Sequence, residues 1–201
     1  SSDLNPRKAM TTPRIVILAS GSGSITQAII DAQQKGELKV EIACVISDQS
    51  GAKVLDRALS ADIPSKVIAM TVNRADWDQQ IIEALTDLQP DLVVSAGFMR
   101  ILSSDCVSKF KIVNSHPALL PLFPGAHAVR DALAAGATTT GTTIHWVDSG
   151  VDTGKIIAQE AVEITGADTE ESLHERIKII ERRLYVATLQ QLLNESVRSH
   201  D

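Results

Sequence analysis

Apolar residues in this chain fall into short continuous runs, separated by stretches with a helical period. The first run is Ile15-Val16-Ile17-Leu18-Ala19, with no polar position in it. A strand buried on both faces reads this way, because neither face needs a polar side chain. Ser20-Gly21-Ser22-Gly23-Ser24 follows, and Ile25, Ala28, Ile29 and Ala32 then recur at the spacing of one helix stripe. Further β-rich runs lie at 40–46, 66–70 and 92–95, and a fifth centres on Ile112-Val113. Helical patterns occupy 52–61 and 75–88, the second closed by Pro90. Strands alternating with helices predict right-handed βαβ units and a parallel sheet.

Past Pro124-Gly125 a helical stretch runs to Ala135, and the β-rich segments 140–147 and 156–164 are placed to pair across a turn at 148–154. Asp168, with Glu171 three residues on, reads as a capping box. Leu173, Ile177, Ile180, Leu184 and Ala187 predict a long amphipathic helix behind it. The expected fold is α/β, with a Rossmann-like, parallel-rich central sheet covered by helices on both faces. No repeat or linker divides the sequence. Residues 13–201 are expected to form a single domain behind a disordered leader at 1–12, with Met10 a candidate start.

Composition narrows the chemistry. No run reaches the eighteen or so apolar residues of a membrane span, so no membrane partner is expected. The two cysteines, Cys44 and Cys106, are far apart, which favours a reducing, cytoplasmic setting over a disulfide framework. No CxxC or HExxH pairing suggests a metal. A net charge of −6 argues against a nucleic-acid partner. It also means that an anionic substrate must be met by local groups and not by the overall field.

Three stretches could supply those groups. A glycine-rich turn between a buried strand and a helix presents backbone N–H donors at a helix N-terminus, which suits a phosphate. Gly21-Ser22-Gly23-Ser24 has that form, without the third glycine of a dinucleotide fingerprint or a P-loop lysine. An ordinary βα turn with Ser24 as N-cap is the plainer reading. Asn114 and His116 lie two apart after a β-rich run, so an extended backbone points both to one side. An amide able to stabilise an oxyanion beside an imidazole able to handle a proton is the minimum kit for acyl transfer. The plainer reading is a turn asparagine and a core histidine. Finally, Asp148-Ser149-Gly150-Val151-Asp152-Thr153-Gly154 holds two carboxylates, either of which could face His116, and a solvated turn would look the same.

Together these stretches are far more specific than any one. The run Asn114-Ser115-His116-Pro117-Ala118-Leu119-Leu120-Pro121 resembles the hallmark of the folate-dependent formyltransferases, and the likeness extends from Arg14 to Leu193. Leu18 to Ser24, Ala96-Gly97-Phe98-Met99-Arg100-Ile101-Leu102 and Val151-Asp152-Thr153-Gly154 carry it further.

The resemblance implies transfer of a formyl group from 10-formyltetrahydrofolate, as co-substrate, to the amine of glycinamide ribonucleotide in purine synthesis. It implies small-molecule substrates, no metal, and a monomer or homodimer. Asn114 would bind the formyl oxygen, His116 would be the acid–base group and Asp152 its carboxylate. Gly23, Ser24 and the backbone of Ile25 would hold the phosphate, with Lys178 and Glu181 at the ribose. Arg74, Met99, Arg100, Ile101 and Leu102, with Asn114, would line the folate pocket. His145 would be supporting structure. The chain departs from the family where Ile25 replaces a frequent Asn and Lys155 a frequent Pro, and 108–113 is about two residues shorter. Rival readings are a formyltetrahydrofolate hydrolase, a tRNA-directed formyltransferase or a non-catalytic ligand-binding module.

Overall fold

The computed structural model describes residues 11–198, so most of the expected leader lies outside the described residues. Seven strands form one sheet in the order β3-β2-β1-β4-β5-β6-β7. β1 (Arg14–Leu18), β2 (Glu41–Ser47), β3 (Ser65–Val67), β4 (Leu92–Ser95) and β5 (Ile112–His116) run parallel, while β6 (Thr139–Trp146) and β7 (Ile156–Glu163) close the sheet antiparallel. Between them lie α1 (Ser24–Gln34), α2 (Lys53–Ser60), α3 (Arg74–Leu88), α4 (Ser104–Lys109) and α5 (Ala128–Ala134), and α6 (Glu170–Arg198) ends the fold.

Alternation along the central strands feeds two cores. Ile15 and Ile17 of β1, with Leu92 and Val94 of β4, pack in one layer with Ile29, Val54, Tyr185 and Leu189. Val16, Leu18 and Val93 pack in the other, against Trp77, Ile81, Leu85 and Cys106. Helices therefore cover both faces, which is why these strands carry continuous apolar runs.

Three expectations change in detail. The third strand covers only Ser65–Val67, because it is the sheet edge and pairs with β2 over three residues. The six-residue α4, which apolar periodicity did not reveal, is capped by the Ser103 hydroxyl accepting from the Cys106 amide at 3.2 Å. The capping box of α6 is Thr169 with Ser172, each side chain accepting the other's amide N–H at 3.1 and 3.0 Å, and not Asp168 with Glu171. Asp168 is engaged elsewhere, by Arg176, Ser172 and the Thr165 amide.

The inner stripe of α6 also differs from the expected one. Ala187 is not buried, and Glu181, Tyr185 and Thr188 take buried positions beside Leu173, Ile177 and Leu189. Tyr185 is fully buried, and its hydroxyl lies 2.8 Å from the Ser95 carbonyl and 3.0 Å from that of Val113. Burial holds its phenol well above the ordinary range. This fixes α6 against the ends of β4 and β5, and with it the polar residues one turn earlier.

Candidate active site

Parallel sheets bind ligands beyond the carboxyl ends of their strands, where the strand order reverses. Here β1 is flanked by β2 and β4, and the chain turns in opposite directions after β1 and β4. At that point lies a cleft of about 630 Å³.

At one end, Gly23 caps α1 with a left-handed backbone, φ 75° and ψ 31°, and no side chain caps the helix. The first amides of α1, from Ser24 on, are left to a ligand or to water. Ser24 is the first helical residue and not the N-cap. A Cβ on Gly23 would stand 2.6 Å from Val54 Cγ2, so the absent side chain faces α2 and not the cleft. Arg57 of α2 steadies the turn, donating from Nε to the Ser22 carbonyl at 2.7 Å. Ile25 is only 6% exposed and belongs to the core.

At the other end, β5 delivers Asn114 and His116 to one face, while Ser115 turns to the other, toward Glu181. Antiparallel pairing sets Asn114 opposite His145. His145 Nδ1 lies 2.9 Å from the Trp146 carbonyl, which can only accept, so that nitrogen carries the proton. Its Nε2 is then free to accept one Asn114 amide N–H at 3.4 Å, leaving the second N–H for a ligand.

His116 is 4% exposed, with Nε2 2.7 Å from the Phe123 carbonyl and Nδ1 3.3 Å from Asp152 Oδ2. Asp152 adopts φ 54°, accepts the Gly125 amide at 2.9 Å, and stands 3.7 Å from His145 Nε2. The loop carrying Phe123 is pinned by Thr143, which donates to the Ala118 carbonyl at 2.6 Å and accepts the Leu120 amide at 3.1 Å.

The two carboxylates of the 148–154 loop thus separate. Asp148 accepts from Thr153 at 2.6 Å and from the Gly150 amide at 3.0 Å, which lowers it below the usual carboxylate range and shapes the turn. Asp152 faces the two histidines.

The remaining wall comes from the 97–102 segment and α6. Gly23, Ser24, Ile25, Asn114, His116 and Asp152 line the cleft, as do Met99, Arg100, Ile101, Leu102, Lys178 and Glu181. Arg74 does not line it. Its guanidinium donates to the Ile101 carbonyl and to Asp78, and lies over the Trp77 ring at 5.0 Å, bracing the segment from behind. Glu181 is raised by burial, against hydrogen bonds from Ser115 and Thr142. Lys178 pairs with Glu175 at 2.9 Å on its own helix.

Sequence reasoning passed over three residues. His174 lines the cleft beside Lys178, and burial first, then Lys178, lowers it. Arg57 carries no motif. Asp48, directly after β2, had one usable signal: a carboxylate at the carboxyl end of a parallel strand. Burial works to raise Asp48, but hydrogen bonds from Ser20, Arg100 and Gln49 outweigh it and hold the group low. Among the described residues, no group of three or more His, Cys, Asp or Glu is placed to hold a metal ion.

Comparison with known proteins bears on what such a cleft does. A family profile described as Formyl transferase matches residues 13–189. A Mycobacterium tuberculosis protein named phosphoribosylglycinamide formyltransferase is 45% identical over 188 residues, 92% of this chain and 86% of its own. The human trifunctional purine biosynthetic protein adenosine-3 is 41% identical over 92% of this chain, which spans 19% of that longer protein. The crystal structure of phosphoribosylglycinamide formyltransferase from Bacillus halodurans superposes with a TM-score of 0.87 at 43% identity, over 91% of this chain and 96% of that one. The chain belongs to the formyl transferase family.

Proposed function

We propose that the cleft transfers a formyl group from 10-formyltetrahydrofolate to the primary amine of glycinamide ribonucleotide, in a cytosolic setting. The observation that carries this is the convergence of Asn114, His116 and Asp152 in the same cleft as an uncapped helix N-terminus. The first set suits acyl transfer, and the second suits the phosphate of the acceptor.

In this reading the amine lone pair attacks the formyl carbon, forming the new C–N bond while the carbonyl π electrons move to oxygen. The free N–H of Asn114 and an imidazolium at His116 stabilise that oxyanion. Collapse of the intermediate breaks the bond from carbon to the folate N10, which takes a proton from His116. The acceptor nitrogen returns one, so the net proton moves from the amine to tetrahydrofolate. Asp152 holds His116 in place and balances its charge. No covalent intermediate with the protein is needed. Met99, Arg100, Ile101 and Leu102 offer a mixed apolar and cationic wall to the folate. Lys178 and Glu181 lie where the ribose would rest.

The test is a direct assay with 10-formyltetrahydrofolate, following folate absorbance with and without glycinamide ribonucleotide. Formyl loss that depends on the amine supports the transferase. Equal loss without it would establish a hydrolase instead.

A further inference from the structure

The two loops that bound the cleft are joined beneath it by one carboxylate. Asp48 does not line the cleft, and its side chain is 1% exposed. Its Oδ1 accepts the Ser20 hydroxyl at 2.6 Å. Its Oδ2 accepts Arg100 Nε at 2.6 Å and Gln49 Nε2 at 3.1 Å. Ser20 has a single hydroxyl proton, spent on Asp48, so its oxygen is free to accept the Met99 amide at 2.9 Å. The Ser20 amide in turn donates to the Gly97 carbonyl at 3.1 Å.

Ser20 opens the turn that ends at the α1 N-terminus. Met99 and Arg100 belong to the opposite wall. Apart from Gln49, every side-chain donor to this carboxylate comes from one of those two segments. We infer that Asp48 is a positioning residue that couples the two substrate subsites, so that ordering the 20–24 turn around one substrate orders the 97–102 segment around the other. This rests on the assignment above of ribonucleotide to the first segment and folate to the second.

The physical basis is the cost of disturbing one arm alone. A buried carboxylate stays charged only while its donors stay, and moving Arg100 away leaves that charge poorly compensated. Each segment is therefore more ordered when the other is held. Energetic coupling of this kind is reciprocal, and it acts on binding without requiring contact with the reacting atoms.

Calorimetric titration with glycinamide ribonucleotide, alone and with saturating tetrahydrofolate, measures the coupling without turnover, since tetrahydrofolate carries no formyl group. In the wild-type protein tetrahydrofolate tightens ribonucleotide binding by about fivefold or more, and the ribonucleotide tightens tetrahydrofolate equally. In Asp48→Asn and in Ser20→Ala the ratio falls to about one. Ser20→Ala breaks the bridge while keeping the Asp48–Arg100 pair, so it decides the matter if Asp48→Asn fails to fold. A wild-type ratio of one with both ligands bound overturns the coupling. Variants that bind both ligands more weakly but keep the wild-type ratio also overturn it, and make Asp48 merely structural. A wild-type protein that binds neither ligand overturns the substrate assignment instead.

Discussion

The two ends of the cleft are built by opposite means. The end proposed for the phosphate is local: five consecutive residues, 20–24, with one left-handed glycine and the free amides of the helix that follows. The acid–base end is assembled from β5, β6 and the 148–154 loop, and its decisive feature is a register, Asn114 opposite His145 and His116 opposite Thr143. A local turn keeps its shape when distant parts of the sheet shift. A register does not, because a slip of one residue would exchange Asn114 and His116 with Ser115 between the two faces of β5. The first end therefore depends on backbone conformation and the second on side-chain chemistry, and substitutions separate the two.

The largest effects belong to the chemical end. Asn114→Ala removes the donor proposed to meet the developing oxyanion, and the single-turnover rate should fall by about a hundred- to a thousandfold. His116→Ala should lose a comparable factor, about a hundredfold or more, through acid–base catalysis. Both variants should bind ribonucleotide as the wild type does, since neither touches α1. Asp152→Asn keeps the shape and removes the charge facing two histidines, with an expected loss of about a hundredfold. Asp148→Asn, in the same loop, should leave the rate nearly unchanged. Rapid-quench measurement of all four would reverse the assignment of the carboxylates if Asp148→Asn proved the slower of the two.

Substitutions at the local end should act on stability and binding together. Gly23→Ala meets two obstacles, φ 75° and a Cβ 2.6 Å from Val54. It should cost about 1–3 kcal/mol of stability and weaken ribonucleotide binding. The double variant Gly23→Ala/Val54→Gly tests the side-chain part, because it removes Val54 Cγ2 and Cβ, 2.6 and 2.7 Å from the added Cβ, and leaves the dihedral strain. If the double variant is no more stable than the additive sum of Gly23→Ala and Val54→Gly, the Val54 side chain is not the constraint. Ile25→Asn, which would restore the family's frequent residue, instead buries an amide at a position 6% exposed. It should cost about 1–3 kcal/mol for the unpaired polar group, with the rate at saturating substrate unchanged. Thermal melts beside calorimetry distinguish these outcomes.

The same contrast explains what could be read from the chain beforehand. Apolar runs marked the strands because both sheet faces are covered, and the i, i+2 spacing placed Asn114 and His116 on one side of β5. The glycine-rich turn was visible for the same local reason. What could not be read was whatever depends on distant pairing. Sequence left Asp148 and Asp152 equivalent on spacing alone, and only the fold sets Asp152 3.3 Å from His116. Arg74, grouped with the folate wall by resemblance, braces that wall from behind because its guanidinium is held by Ile101 and Asp78. Asp48 escaped notice because its partners, Ser20 and Arg100, are 28 and 52 positions away. The polar stripe of α6 defeated a purely apolar reading, since Glu181 and Tyr185 face inward with their own partners.

The smallest predicted effect concerns the third wall, α6, and separates loss of the site's chemistry at low pH from loosening of its frame. Asp168 is held well below the usual carboxylate range, first by Arg176, then by the Thr165 amide and Ser172. A carboxylate depressed in the folded state stabilises the fold above its unfolded value, near 3.9. That contribution is full at neutral pH and is lost as pH falls through the unfolded value toward the lower folded one. Asp168→Asn should therefore lower Tm at pH 7 by an amount on the order of 2 °C, modest because the Arg176 end of the pair is 40% exposed. At pH 3 the gap between variant and wild type should narrow. Asp168 lies at the start of α6, two turns or more before Lys178 and Glu181, so the rate at pH 7 should be close to that of the wild type. If the variant instead loses activity at neutral pH while Asp152→Asn does not, the α6 terminus matters more to the reaction than the histidine–carboxylate cluster, and the contrast between the two ends is drawn in the wrong place. A gap in Tm that widens as pH falls would contradict the expected sign and remove Asp168 from the groups that stabilise the fold through their charge.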